Sequence, residues 1–357
     1  MDANTESSQG SSVLRTLLVA VPAAAVTAFA VQWWGASLQQ SATDELNKNV
    51  LSVMLPDWAD SSKLAADYKD ANQDLVADTP TDEAKLQSPE TLVFSYIAEE
   101  GDESDQTTEA DGWGALATAV GDATGLPVKV RAYEQVNDQL EAMRTGELHI
   151  LGLGTGAAPL AVNTAGYVPL CTMANADGEV GYKMLLVAAA DAGIKDLADI
   201  KGSKVVFVRP TSNSGFKAAL VQLYNDAGLL PERDYEWSFS MSHEGSMKDV
   251  VAGRARVAPV ASDILAKMLE QGDIDEAEYT ILYESEAFPP AVIGCAHDLP
   301  AEMVDQIRTA LVGLDWAGTD LEQRFGPTGS VKFVAVDYKD DWAVIRRIDD
   351  AMRNLSE

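Results

Sequence analysis

Cysteine, histidine and positive charge are all scarce in this 357-residue chain. Its two cysteines, Cys171 and Cys295, cannot build a disulfide framework or a cysteine-rich zinc site. Three histidines, His149, His243 and His297, lack the spacing of zinc ligands. Lys and Arg total 26 against 56 Asp and Glu, a formal net charge of −30. Such a chain has no basic footprint with which to neutralise a phosphate backbone, so nucleic acid is excluded as the default partner. Neither a G-x-x-x-x-G-K-[ST] loop nor a G-x-G-x-x-G turn is present, and no G-x-S-x-G elbow frames a serine. Paired carboxylates at loop ends, the usual sign of acid/base work, do not stand out, and no short repeat or low-complexity tract occurs.

What the chain does have is a 46% hydrophobic, 23% charged composition, enough to bury a core, and a length that suits roughly two domains. The one long apolar run lies near the start. From Leu17 to Trp34 only Thr27 and Gln32 interrupt it, 18 residues, the lower limit for a membrane-spanning helix. Trp33 and Trp34 stand where interfacial aromatics belong, and Arg15 at the other edge favours an inward N-terminus. An uncleaved anchor is the preferred reading. A cleaved secretory signal ending near Ala28-Phe29-Ala30 is the alternative. No cysteine follows the run, which excludes a lipoprotein anchor. Either reading exports the rest of the chain.

A stretch rich in Asp and Glu comes next. Between Asp57 and Asp111 only Lys63, Lys69 and Lys85 oppose the acids, and Pro56, Pro80 and Pro89 punctuate it. Its composition reads as a solvated, partly helical tether. From residue 91 the pattern becomes βαβα. Strands are expected at 92–97, 128–133, 149–151, 168–173 and 183–189, with helices from 113 to a stop at Gly125-Leu126-Pro127, at 137–145 and at 156–165. The alternation resumes with strands at 205–208, 235–239, 257–260, 279–283 and 291–296. Helices are expected at 216–227, 246–252, 263–271, 301–314 and 342–355. This is an α/β class with largely parallel sheets, and two such lobes imply a cleft. Cys171 and Cys295 fall in apolar strands and read as buried inert thiols, with a disulfide between them as the alternative.

Ligands of open α/β sheets sit at loops that leave a strand and enter a helix. Three such loops could meet an anion. Pro210-Thr211-Ser212-Asn213-Ser214-Gly215 offers hydroxyls, an amide and a run of helix-start N–H groups, an anion site with no basic side chain. Ser242-His243-Glu244-Gly245-Ser246 adds a histidine. Gly154-Thr155-Gly156 lets a backbone approach closely. Each also reads as ordinary helix capping or a plain βα turn.

From about 91 to 334 the sequence resembles the solute-binding proteins of phosphate, phosphite and phosphonate ABC transporters. The segments that carry the resemblance are Glu141-Ala142-Met143-Arg144-Thr145-Gly146, Asp177-Gly178-Glu179-Val180-Gly181-Tyr182, the 210–215 loop, Ser242-His243-Glu244 and Ser262-Asp263. The resemblance implies the type II periplasmic-binding-protein fold, two α/β lobes joined by crossing strands that close by hinge motion. The implied organisation is an anchor or signal at 1–36, an acidic linker at 37–90 and a first lobe from 91–186 plus 286–340. A second lobe spans 187–285 and a C-terminal helix 341–357. Ser212 and Asn213 then match the residues that bind phosphoryl oxygens, with Ser214 as a cap or further donor. Tyr182 and His243 match further donors, and Asp263 an acid across the pocket. Thr155, from the 154–156 loop, joins them as a candidate.

Two departures bear on the ligand. The tyrosine that aminophosphonate binders use falls at Val136, and their second carboxylate at Ala291. A cationic tail would meet one carboxylate, so phosphate, phosphite or an alkylphosphonate is favoured. Asp263 can accept a hydrogen bond from a protonated ligand oxygen and so repel a fully ionised oxyanion. The −30 charge does not oppose anion binding, because at ~0.15 M salt distant carboxylates are screened beyond about 8 Å. The expected protein captures its oxyanion without chemistry, metal or cofactor. It would stand outside the cytoplasmic membrane, held there by its N-terminal helix, and serve a transporter permease and ATPase. A membrane-tethered sensing module, or an enzyme on the same fold, is the rival.

Overall fold

The computed structural model describes residues 63–96, 112–133 and 135–356. The apolar run at 17–34 lies outside the described residues, as does much of the acidic stretch before residue 111. Among the described residues no helix is long and apolar enough to cross a membrane.

Eleven strands among the described residues form two sheets: β1 (Leu92–Tyr96), β2 (Val128–Val130), β3 (Ile150–Leu153), β4 (Tyr167–Ala174), β5 (Tyr182–Ala189), β6 (Lys204–Phe207), β7 (Glu236–Phe239), β8 (Val257–Ala261), β9 (Tyr279–Phe288), β10 (Val292–Ala296) and β11 (Lys332–Ala335). The first sheet has the order β11-β4-β10-β3-β1-β2 and the second β7-β6-β8-β5-β9. In the first, β1 is parallel to β2 and β3 while β10 runs antiparallel between β3 and β4. In the second, β6 is parallel to β7 and β8, and β5 is antiparallel to both its neighbours. Every residue of β3, β8 and β10 is buried. Helices cover both faces of such strands, so they read as continuous apolar runs with no alternation.

The chain leaves the first sheet after β4, enters the second at β5, and returns between β9 and β10. The two crossings are therefore 175–181 and 289–291. The boundaries expected at 186/187 and 285/286 fall inside β5 and β9, which belong whole to the second sheet. A strand run is easily read from sequence, but which sheet it joins depends on partners far along the chain. After β11 the helix Ala343–Ser356 packs on the helix Ala218–Ala227 of the second lobe.

Residues 63–90 also differ from a free tether. Val76 and Ala77 are buried, Leu64 packs on the main core, and Ala65 donates its N–H to the Asn163 carbonyl at 2.8 Å. Gln87 reaches Asp298 at 2.7 Å and Lys339 reaches the Gln73 carbonyl at 2.8 Å. Net acidity hid these few apolar anchors. The cysteines are both free and buried, in neighbouring strands but out of register: Cys171 lies opposite Ile293, and Cys295 opposite Val168. Burial pushes the Cys295 thiol up to about 12 and raises Cys171 too, so both stay protonated and unreactive.

Candidate functional site

The loop that leaves β6 is built around close packing. Val208 donates its own N–H to the Gly215 carbonyl at 2.9 Å. A side chain at Gly215 would lie 2.3 Å from Val208 Cγ2, so only glycine lets the loop fold back this tightly. Ser212 caps the turn by accepting the Gly215 N–H at 3.0 Å, which leaves its own O–H to donate. The helix beyond this cap does not begin as an α-helix. Asn213–Lys217 is a π-helical turn, in which the Ala218 N–H bonds the Asn213 carbonyl, and Phe216 anchors it against Phe207 and Phe239. Such wide turns recur at functional sites. Here the turn brings Asn213, 2% exposed, and Ser214 to the cleft, and both amide atoms of Asn213 are buried without a hydrogen-bond partner.

The second loop leaves β7. Met241 takes a left-handed conformation, φ +70°, held by its N–H to the Val208 carbonyl at 2.9 Å and by the Arg209 guanidinium on its own carbonyl. Ser242 then caps the helix His243–Val251 by accepting the Gly245 N–H at 2.9 Å. The helix thus starts three residues earlier than the sequence pattern suggests, on the histidine itself. His243 Nδ1 accepts the Ala261 N–H at 3.2 Å, so the ring proton is on Nε2. Burial, against Glu244 and with help from Arg209, lowers its pKa to about 4. His243 is therefore a neutral N–H donor at ordinary pH. Asp263, in the first turn of the helix Ser262–Gln271, has its carboxyl pKa raised by burial, while the N–H groups of Ile264 and Asp263 pull the other way. Its Oδ1 is buried without a partner.

Tyr182 opens β5 at the end of the first crossing. Burial raises its phenol pKa. The Ser214 and Thr155 side chains oppose that shift, Asp263 adds to it, and Asn213 lies alongside without meeting hydrogen-bond geometry. Thr155 stands apart from the other candidates. Its O–H donates to the Pro289 carbonyl at 2.7 Å, on the return crossing, and its own carbonyl accepts the Trp342 indole N–H at 3.0 Å. Thr155 thus spends its proton on the hinge region.

One cavity of about 190 Å³ is lined by all seven sequence candidates: Thr155, Tyr182, Ser212, Asn213, Ser214, His243 and Asp263. All but Thr155 come from the second lobe. The first-lobe side is lined by Tyr96, Met173, Ala291 and Phe325, together with Thr328 and Ser330. Tyr96, Trp113 and Phe325 pack ring against ring, centroids 4.6 and 5.3 Å apart along the series, and Arg324 lies over the Trp113 ring at 5.4 Å. That wall is braced and mostly apolar. The lobes meet beside the cavity at Gly156, where a Cβ would sit 2.4 Å from the Thr211 carbonyl and 2.7 Å from the Asn213 nitrogen.

The structure corrects one expectation and adds to another. Arg209 also lines the cavity, so the site has a basic group that the reading of the loops did without. It immediately precedes the 210–215 loop, and its place at the exit of β6 was the available signal. Val136 begins the helix Val136–Arg144 and takes no part in the cavity lining, whereas Tyr96 supplies an aromatic ring there. Chemically, the site presents neutral N–H and O–H donors, one guanidinium and one acid. His243, unprotonated with Nδ1 already occupied, suits donation rather than general-base work.

A sequence model of periplasmic substrate-binding proteins of phosphonate ABC transporters matches residues 102–342. The chain belongs to this family. A curated relative, the phosphate-import protein PhnD of Mycolicibacterium smegmatis, is 27% identical over 237 residues, covering 62% of this chain and 71% of the relative. The fold is shared with PhnD1 of Prochlorococcus marinus in complex with methylphosphonate, at a TM-score of 0.63 and 14% identity, covering 74% of this chain and 99% of the other. A binding protein of a Pseudomonas aeruginosa ABC phosphonate transporter gives 0.59 and 20%, covering 74% and 87%. Both solved folds are of the type II periplasmic-binding class, and the family places the protein outside the cytoplasm as a transporter component.

Proposed function

We propose that the protein captures a phosphate-like oxyanion carrying at most a small apolar substituent, an alkylphosphonate first and phosphate or phosphite second. The observation that carries this is Asn213. Its amide is buried at the cavity wall with neither atom partnered, and an unmet buried polar group costs about 1–3 kcal/mol. An oxyanion against the amide N–H, with Ser212, Ser214 and His243 donating beside it, removes that cost. Arg209 supplies one compensating charge at the edge. Asp263 then faces a ligand oxygen and shares one proton with it.

The substituent follows from the opposite wall. Oxygens held by the second lobe leave the fourth position of the tetrahedron toward Tyr96, Met173, Ala291 and Phe325, where a methyl group is welcome and an ammonium is not. The M. smegmatis relative is named for phosphate import and the P. marinus neighbour holds methylphosphonate, which supports this ligand class. Ligand closure would present the protein to a permease and its ATPase, with the apolar 17–34 segment as the tether. Calorimetric titration of the purified chain with methylphosphonate, phosphate, phosphite, 2-aminoethylphosphonate and sulfate tests the reading. Methylphosphonate or phosphate should bind tightest and sulfate should not compete. Tightest binding of the amine-bearing ligand would refute it.

A further inference from the structure

Lys217 is fully buried, yet it lies at the end of the π-helical turn that carries Asn213 and Ser214. Its ammonium donates to the Gly156 carbonyl at 2.6 Å and to Asp349 Oδ1 at 3.1 Å. Gly156 belongs to the first lobe and Lys217 to the second. Asp349 belongs to the C-terminal helix Ala343–Ser356 and is itself only 4% exposed. One buried cation therefore joins three parts of the molecule behind the cavity. The residue before that helix makes a second tie, since the Trp342 indole N–H bonds the Thr155 carbonyl at 3.0 Å. Ile345 and Met352 are buried, so the helix is seated by apolar contacts as well.

A charge pair is an unusual choice for this place. Burial works against both partners, lowering the lysine pKa and raising that of the carboxyl, and each is partly restored by the other. Well-packed apolar residues would serve stability as well or better. What they would not supply is a directed bond from the oxyanion loop to a backbone carbonyl of the opposite lobe. The family match ends at residue 342, so Asp349 lies beyond it.

We propose that Lys217 is a positioning residue for the oxyanion loop. Held by Asp349, it ties the Asn213–Lys217 turn to Gly156, so that the C-terminal helix governs how far the cleft opens and how fast ligand leaves. The inference rests on the binding reading above, because it concerns the same loop. It adds a role for a helix that takes no part in the cavity lining.

The test is the paired variant Lys217→Met with Asp349→Leu, which removes both charges and puts apolar side chains in their place. Two quantities are read: methylphosphonate affinity with its dissociation rate, and hydrogen-exchange protection of the 213–217 amides without ligand. The expected result is a melting temperature within about 4 °C of the parent, with affinity lowered at least about tenfold through faster dissociation. The 213–217 amides should lose protection while those of β8 keep theirs. A variant equally stable and binding within about twofold of the parent overturns the proposal. Should the paired variant not fold, Trp342→Phe decides. It removes the indole N–H of the second tie while keeping an aromatic ring in that buried place, and it should speed dissociation about threefold; an unchanged rate overturns the proposal. If the unmodified protein binds none of the oxyanions, the ligand reading fails instead. The exchange data then judge the tie alone, unchanged 213–217 protection in the folded paired variant being the overturning result.

Discussion

The two walls of the cleft are made of different material. The second lobe offers Ser212, Asn213, Ser214, His243, Tyr182, Asp263 and Arg209, nearly all of the cavity's polar chemistry. The first lobe offers Tyr96, Met173, Ala291 and Phe325 with the hydroxyls of Thr328 and Ser330, and of these Thr328 is engaged with the Phe325 carbonyl, while its loop residue Thr155 is engaged with the Pro289 carbonyl. The difference teaches a division of labour. On the proposed reading, the lobe rich in helix-start donors would recognise oxygens, and the aromatic lobe would close over whatever the oxygens leave uncovered, excluding water and strengthening each charge-assisted bond.

The sharpest way to break this contrast is Asn213→Ala. Affinity should fall by about 2–3 kcal/mol, roughly 30- to 150-fold, if the amide donates to a charged oxygen as proposed. Thermal stability should hold or rise, because the amide has no partner to lose. Calorimetry and a melting curve read both, and a stability loss without an affinity loss would assign Asn213 to the scaffold. Next comes the shared proton at Asp263. In the parent, affinity should decline about tenfold per pH unit above the ligand's second ionisation, the slope of one linked proton. The raised carboxyl pKa has the same sign, since the proton it helps to retain is lost as pH rises. Asp263→Asn should flatten that slope, and an unaltered slope would remove Asp263 from ligand contact.

Ala291→Glu puts a carboxylate on the apolar wall. The preference for methylphosphonate over 2-aminoethylphosphonate should shrink by roughly fivefold, about 1 kcal/mol; competition titrations measure it. The smallest effect belongs to Thr155→Val. With its proton spent on the hinge, affinity should stay within about threefold, roughly 0.6 kcal/mol. A loss as large as that of Asn213→Ala would place a first-lobe donor on the ligand and undo the asymmetry.

The same contrast explains what could be read from the chain. The polar wall is local in sequence. Ser212, Asn213 and Ser214 are neighbours, and His243 and Asp263 each stand at the start of a helix just after a strand, so loop chemistry announced them. The apolar wall gathers residues 96, 173, 291 and 325, which no local pattern connects. Arg209 was visible but lay on the strand side of the loop, and a backbone-based anion site calls for no basic group. The βα alternation was legible because buried parallel strands are short apolar runs between helix caps. The lobe boundaries were not, since joining a sheet is a matter of long-range pairing: β5 and β9 pair with each other across roughly a hundred residues. The tie from Lys217 to Asp349 was equally hidden, because a lysine at the end of the Asn213–Lys217 turn gives no sign of a partner near the C-terminus.

A crystal structure of the complex with methylphosphonate tests the division of labour most directly. Phosphonate oxygens are expected on Asn213, Ser212, Ser214 and His243, a proton-bridged oxygen at Asp263, and the methyl carbon against Tyr96, Met173 and Phe325. A methyl group turned toward the 210–215 loop, with oxygens on the first-lobe wall, would contradict it.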